Sequence, residues 1–243
     1  MKQLLTFIAV LSLLSCADDQ WDDCVTSAGP VRTEIRDASP FHTMELAGKI
    51  DVVLTQDSVD AISVEGGRNL LGQVETSIEG GVLKINSNMI CNWVRDLQER
   101  VTVHVQCSSL RTIVYTGSGD VRCTNAIVQP TFRVEQRQGS GTLELKLETD
   151  TCWYGLHTGP GNVVATGSAD VLYLYSGGYA HIDVRGQTHR ESHCNNSGSG
   201  SFRTAPSEVL YAAVYDAGNI HYYSDPPVLG VTDEGSGSVI HGD

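Results

Sequence analysis

The chain has 243 residues, a formal net charge of −13 and 40% hydrophobic residues. Such an acidic balance argues against nucleic acid as a partner, which requires clustered positive charge to displace counterions. The apolar fraction is enough for a body of about 200 residues to bury a core, as one elongated domain or two small ones.

At the N-terminus, Met1-Lys2 supplies a positive charge, and Leu4 to Leu14 is apolar apart from Thr6 and Ser12. This run is too short to span a bilayer as a helix, which takes about 20 apolar residues, and it has the form of a secretory signal. Leu13-Leu14-Ser15-Cys16 resembles a bacterial lipobox, so residues 1–15 are expected to leave as a signal peptide and Cys16 to carry a lipid that tethers the chain to a membrane. Four aspartates between Asp18 and Asp23 favour a solvated tether over residues 16–38. An acidic run directly behind a lipidated cysteine also resembles the surface-export signal of some Gram-negative lipoproteins. The expected location is therefore the Gram-negative outer membrane, on the cell surface or the periplasmic face.

Residues 39–115 read as strands. Met44-Glu45-Leu46, Ile50 to Leu54 and Val82 to Ile85 are short apolar-rich runs, and Val101 to Val105 alternates cleanly. The polar stretch from Ser87 to Glu99, around Cys91 and Trp93, predicts a long loop or short helical turn before the repeats.

From residue 116 to 243 the chain repeats itself. Gly117-Ser118-Gly119-Asp120-Val121 returns as Gly139 to Leu143, Gly159 to Val163, Gly178 to Ile182, Gly198 to Phe202, Asp216 to Ile220 and Gly235 to Val239. The starts lie 22, 20, 19, 20, 18 and 19 residues apart. The third residue is glycine in every copy except Ala180, so either something approaches the backbone there or the turn needs a positive φ. The fifth is always large and apolar, and alternation follows it, as in a half-buried strand leaving a tight turn. A unit of this size holds two or three short strands and cannot bury its apolar side chains alone; stacked units can, in columns about 4.8 Å apart. The expected fold is all-β, a right-handed parallel β-helix-like solenoid whose fifth residues form an apolar spine. Asp225-Pro226-Pro227 predicts a turn before the last unit, and the final coil is expected to lack a cap, leaving strand edges open.

These Gly-Ser-Gly phrases, with Phe41 to Gln56, Asn69-Leu70-Leu71 and Tyr222 to Pro227, resemble the head GIN domain family of auto-transporter adhesins, a family of bacterial lipoproteins of unknown function. The resemblance covers about residues 40 to 243. It implies a right-handed β-helix like that of pectin lyases, with no known catalytic residues, and adhesion as its role. Gly178-Tyr179-Ala180 and Asp216-Ala217-Gly218 depart from the Gly-Ser-Gly pattern.

Candidate chemistry is sparse. Fourth positions of the phrase would form a column of Asp120, Thr142, Asn162, His181, Ser201, Asn219 and Ser238, read as turn residues that tie their side chains to nearby backbone. His189, His193 and Cys194 stand close in sequence, but on a strand the two histidines are about 13 Å apart, so exposed polar decoration is the favoured reading over zinc. Tyr173, Tyr175, Tyr179, Tyr211, Tyr215, Tyr222 and Tyr223 cluster in the last units. Outward, they would offer a surface for a glycan or protein ligand; the favoured reading has half of them inward, finishing the core. Cys24, Cys91, Cys107, Cys123, Cys152 and Cys194 invite disulfides in an oxidising compartment, with the pairing open, or else serve as small buried apolar residues. No cofactor, metal or catalytic residue is expected. The reading is a lipid-anchored envelope protein that presents a β-helix for binding a protein, a glycan or copies of itself. The alternatives are a polysaccharide-degrading β-helix enzyme and a self-assembling structural protein of the envelope.

Overall fold

The computed structural model describes residues 27–87 and 100–243. The lipobox with Cys16, the tether through Thr26, Cys24 and the loop expectation for residues 88–99 with Cys91 lie outside the described residues.

The chain enters through β1 (Val31–Arg36), β2 (Thr43–Leu46) and β3 (Asp51–Gln56). An excursion follows: β4 (Ala61–Gly67), a single 3-10 turn at Leu71–Gln73, β5 (Val74–Glu79), β6 (Val82–Ser87) and β7 (Thr102–Cys107). Regular coils then begin with β8 (Thr112–Tyr115), β9 (Val121–Cys123) and the short β10 (Ile127–Val128). They continue as β11 (Thr131–Arg137) with β12 (Thr142–Glu148), β13 (Thr151–Thr158) with β14 (Asn162–Ser168), and β15 (Val171–Ser176) with β16 (Ile182–Thr188). The last three are β17 (Glu191–Asn196) with β18 (Phe202–Thr204), β19 (Val209–Val214) with β20 (Ile220–Tyr222), and β21 (Val228–Asp233) with β22 (Val239–His241).

Each coil contributes to two sheets. Sheet A runs β1-β4-β7-β3-β9-β12-β14-β16-β18-β20-β22, with β10 beside β12, and sheet B runs β5-β6-β2-β8-β11-β13-β15-β17-β19-β21. From β3 and β2 onward all neighbours are parallel, so the body is a parallel β-solenoid with two main strands per coil. The expected spine is present: Val121, Leu143, Val163, Ile182, Phe202, Ile220 and Val239 pair in register, with Val52 added at the front. All but Val239 are buried.

Of the two readings for the third glycine of the phrase, close approach holds. A Cβ on Gly200 would lie 1.8 Å from the carbonyl oxygen of Ala180 in the coil before, and one on Gly141 would lie 2.0 Å from that of Gly119. Neither glycine is among those with positive φ.

Residues 39–115 share both sheets with the repeats. After β1, the outermost strand of sheet A, the chain passes inside to β2 and β3, runs outward again through β4 to β7, and returns to β8. Strands β6 and β7 lie parallel on β2 and β3, while β4, β5 and β1 add antiparallel and end the stack. Antiparallel outer strands break the column register and close this end. At the opposite end, Leu229 and Val231 continue the buried columns of Leu210 and Ala212 but are 47% and 50% exposed, because among the described residues no strand pairs with β21 on its far side.

Candidate functional site

Outward positions of sheet B fall into columns, because parallel in-register strands bring equivalent residues within about 4.8 Å of one another. One column reads Arg133, Trp153, Tyr173, His193, Tyr211 and Gly230. Its rings stack. The Arg133 guanidinium lies 4.9 Å from the Trp153 ring centroid. Trp153 and Tyr173 are 5.7 Å apart and 6° from parallel, Tyr173 and His193 are 4.9 Å and 20°, and His193 and Tyr211 are 5.4 Å and 33°. Offset-stacked aromatic pairs at such distances are each worth about 0.5–1.5 kcal/mol beyond the area they bury.

Beside this column runs Glu135, Gly155, Tyr175, Asn195, Ala213 and Thr232. Gly155 leaves room for Glu135 Oε2 to meet His157 Nε2 at 2.6 Å, while Arg133 Nη1 donates to Glu135 Oε1 at 2.9 Å. Partial burial raises the Glu135 pKa, but hydrogen bonds from His157 and Arg133 outweigh it and leave the carboxyl below its ordinary value. The ring of Tyr175 stands 5.4 Å from that of His157. Together the two columns line an open groove of about 530 Å³ that runs from Arg133 and Glu135 to Gly230 and Thr232.

Comparison with known proteins agrees with this architecture. A family model described as "Putative auto-transporter adhesin, head GIN domain" matches residues 40–226. The chain belongs to the head GIN domain family. No curated protein matches it. Among solved structures, an adhesin-described protein of Bacteroides fragilis is similar, with a TM-score of 0.79 at 19% identity over 87% of this chain and 97% of that one. A protein of Parabacteroides distasonis described as a "putative lipid binding protein" gives 0.67 at 21% identity, over 88% and 98%. An adhesin-described protein of Parabacteroides merdae gives 0.65 at 19%, over 90% and 99%. At these identities the likeness is one of fold.

In this head GIN domain the tyrosine expectation needs correction. Tyr173, Tyr175, Tyr179, Tyr211 and Tyr215 are exposed, and Tyr222 and Tyr223 are half-buried; of the seven only Tyr222 packs against the core, at its edge, rather than half of them. Tyr173, Tyr175 and Tyr211 line the groove; Tyr179 and Tyr215 do not; Tyr222 ends β20 of sheet A and meets His241, and Tyr223 just after it lies under Arg185. The tyrosines that do fill the core are Tyr115 and Tyr154. Trp153, His193, Arg133 and Gly230 were missed as members of the face, although 133, 153, 173, 193, 211 and 230 follow the pitch of the repeat.

The histidines part company. His193 faces outward in the stack, Cys194 inward between Leu174 and Ala212, and His189 sits in the turn before β17. His189 is buried rather than decorative. Its Nδ1–H donates to the Gln187 carbonyl, which leaves Nε2 as the acceptor for a hydroxyl pair, Ser192 Oγ at 2.8 Å and Thr204 Oγ1 at 2.9 Å, themselves 2.7 Å apart and sharing a hydrogen bond. Burial lowers its pKa below 6.5, with the Gln187 bond acting the other way.

The fourth-position column is structural, and its bonds reach the next coil rather than the same turn. Asp51 Oδ1 accepts from the amide of Asp120, Asp120 from Thr142, Asn162 from His181, and Asn219 from Ser238, at 2.9–3.2 Å. Cys107, Cys123, Cys152 and Cys194 are free thiols, so among the described residues the disulfide expectation gives way to that of small packing residues. Burial raises all four pKa values, to about 12 for Cys107 and Cys152, which keeps these thiols protonated and unreactive.

Proposed function

We propose that this protein is an envelope lipoprotein, held by a lipid on Cys16, that uses the outer face of sheet B to bind a ligand in adhesion. The observation that carries the reading is the row of Trp153, Tyr173, His193 and Tyr211 beside an open groove. Exposed apolar surface gathered into one recess marks a contact site, whereas scattered single residues do not. A solenoid suits this role because it holds one residue per coil in a fixed line without a loop that must be ordered on binding. The adhesin description of the family supports the same reading, as does the lipobox-like Leu13-Leu14-Ser15-Cys16.

Within the competing enzyme reading, glycoside hydrolysis requires a carboxylic acid poised to donate a proton near neutral pH. Glu135, the carboxyl that lines the groove, has its pKa lowered and both oxygens engaged by His157 and Arg133, which suits a brace and not an acid.

The test is adherence of cells displaying wild type or a Tyr173→Ser/Tyr211→Ser double variant to mucus- or matrix-coated surfaces. Loss of adherence with undiminished surface display supports the reading; equal adherence sinks it. Detergent partitioning of wild type and Cys16→Ala checks the anchor, and the anchor fails if both stay in the aqueous phase.

A further inference from the structure

Rings that stack face to face hide one another's faces, so most of the column shows only edges and polar tips to solvent. Its end differs. Position 230 is glycine, and a Cβ there would lie 2.6 Å from Cδ1 and 3.0 Å from Cε1 of Tyr211. The Tyr211 ring therefore leans over the Gly230 backbone. This opens the stack at His193 to 33° and leaves Tyr211 49% exposed. Asn195, Ala213 and Thr232 line the groove alongside.

We infer that the reclined Tyr211 ring is the platform of a subsite for a neutral saccharide, with Asn195 and Thr232 meeting its hydroxyls. This rests on the binding reading above and names its ligand class. A pyranose has an apolar face of C–H bonds whose positive edge suits the negative face of an aromatic ring. Around its rim are hydroxyls that both donate and accept. Asn195 offers its amide N–H groups as donors, its Oδ1 already accepting from Ser197 Oγ at 2.8 Å, and Thr232 offers a hydroxyl that both donates and accepts.

Charge points away from anionic ligands. The groove's arginine, Arg133, is already bonded to Glu135 and stacked on Trp153, and the whole chain carries −13. Size points away from a protein partner confined to the groove. Some 530 Å³ is the volume of a small-ligand site, whereas a stable protein interface buries about 800 Å² on each partner. The groove is open along the rod, which suits an internal stretch of a linear glycan.

The experiment is calorimetric titration of the folded protein with neutral gluco-, manno-, galacto- and xylo-oligosaccharides of four to six residues. An oligogalacturonate serves as the anionic contrast. Wild type is expected to bind at least one neutral series and to leave the anionic one. Tyr211→Ala should weaken that binding tenfold or more. Gly230→Ala should do the same by pushing the ring upright, and it keeps every polar group if Tyr211→Ala proves poorly folded. Tyr179→Ala, on an exposed ring outside the groove, should bind as wild type. The inference is overturned if no neutral series binds, or if Tyr211→Ala and Gly230→Ala bind as tightly as wild type. Binding to immobilised mucus or matrix proteins separates the two failures. If that survives and depends on Tyr173, the saccharide subsite falls and the contact face stands; if neither ligand class engages, both fall.

Discussion

Gly200 shows how little freedom one position in this coil has. The carbonyl of Ala180 occupies the place where any side chain would begin, 1.8 Å from an added Cβ, and the obstacle is backbone that cannot rotate away. Gly200→Ala should therefore act as overpacking and cost about 1–3 kcal/mol. Gly72, with nothing within 4 Å of an added Cβ, is the control, and Gly72→Ala should stay within about 0.5 kcal/mol. Thermal melts of the two variants check this; equal midpoints would mean that adjacent coils separate easily. His189 carries a pH dependence of definite sign. Its folded pKa lies below 6.5, so above that pH the ring is neutral in both states and no stability is lost. As pH falls through 6.5 toward the lower folded value, the unfolded chain takes up the proton first and stability declines. The melting midpoint of wild type should drop between about pH 7 and 5 more steeply than that of His189→Gln. Parallel curves would assign the decline to other groups. Both residues also show the reach of sequence reasoning. Gly200 announced a backbone constraint through its place in the phrase, close approach or positive φ, while the burial of His189 depends also on the Thr204 hydroxyl fifteen residues on, which no local pattern reveals.

At the scale of the strand, the spine transmits stability from coil to coil. Phe202 on β18 packs in register between Ile182 and Ile220 and is fully buried. Phe202→Ala should cost about 3–5 kcal/mol, since the neighbouring strands are held by their own ladders and can only partly close the cavity. Urea unfolding measures it, and a loss under 1 kcal/mol would mean that the column relaxes freely. This spine was legible because an apolar residue at a fixed place in seven phrases has one common explanation, a shared interior. The aromatic column obeys the same pitch but mixes Arg, Trp, Tyr and His, so it carries no single chemical type that a reading by residue class would register. Polar residues on the inner face were equally hidden. Tyr115, Gln136, Ser176 and Asn196 share with Leu156 the inward column at the C-terminal ends of the sheet B strands, and these four bond the backbone of the glycine turns from within. Tyr115 donates to the Gly119 carbonyl at 2.6 Å and accepts from the Gly141 amide at 3.0 Å, bracing two coils with one hydroxyl. Such turns sit against the core and need partners for their amides, because a buried unpaired group costs about 1–3 kcal/mol.

Over the whole molecule the two ends differ, and that difference predicts a gradient of stability. A repeat protein is held by nearest-neighbour contacts, so an end coil with one neighbour opens more readily than a middle coil with two. A bare rod would fray equally at both ends. Here the excursion from β4 to β7 covers β2 and β3, and these strands keep Met44, Leu46, Val52 and Leu54 buried. At the other end Leu229 and Val231 stand half in solvent on β21, the last strand of sheet B. The antiparallel excursion escaped the sequence reading because it has no glycine phrase and breaks the 20-residue pitch; its alternating runs announce strands but not where they stack. Amide hydrogen exchange followed by peptide mass spectrometry should find β21 and β22 exchanging well before β13 to β16, and β2 and β3 protected nearly as long as the middle. If β2 and β3 exchange as early as β21 and β22, the excursion is an appendage rather than a cap, and the rod frays from both ends alike.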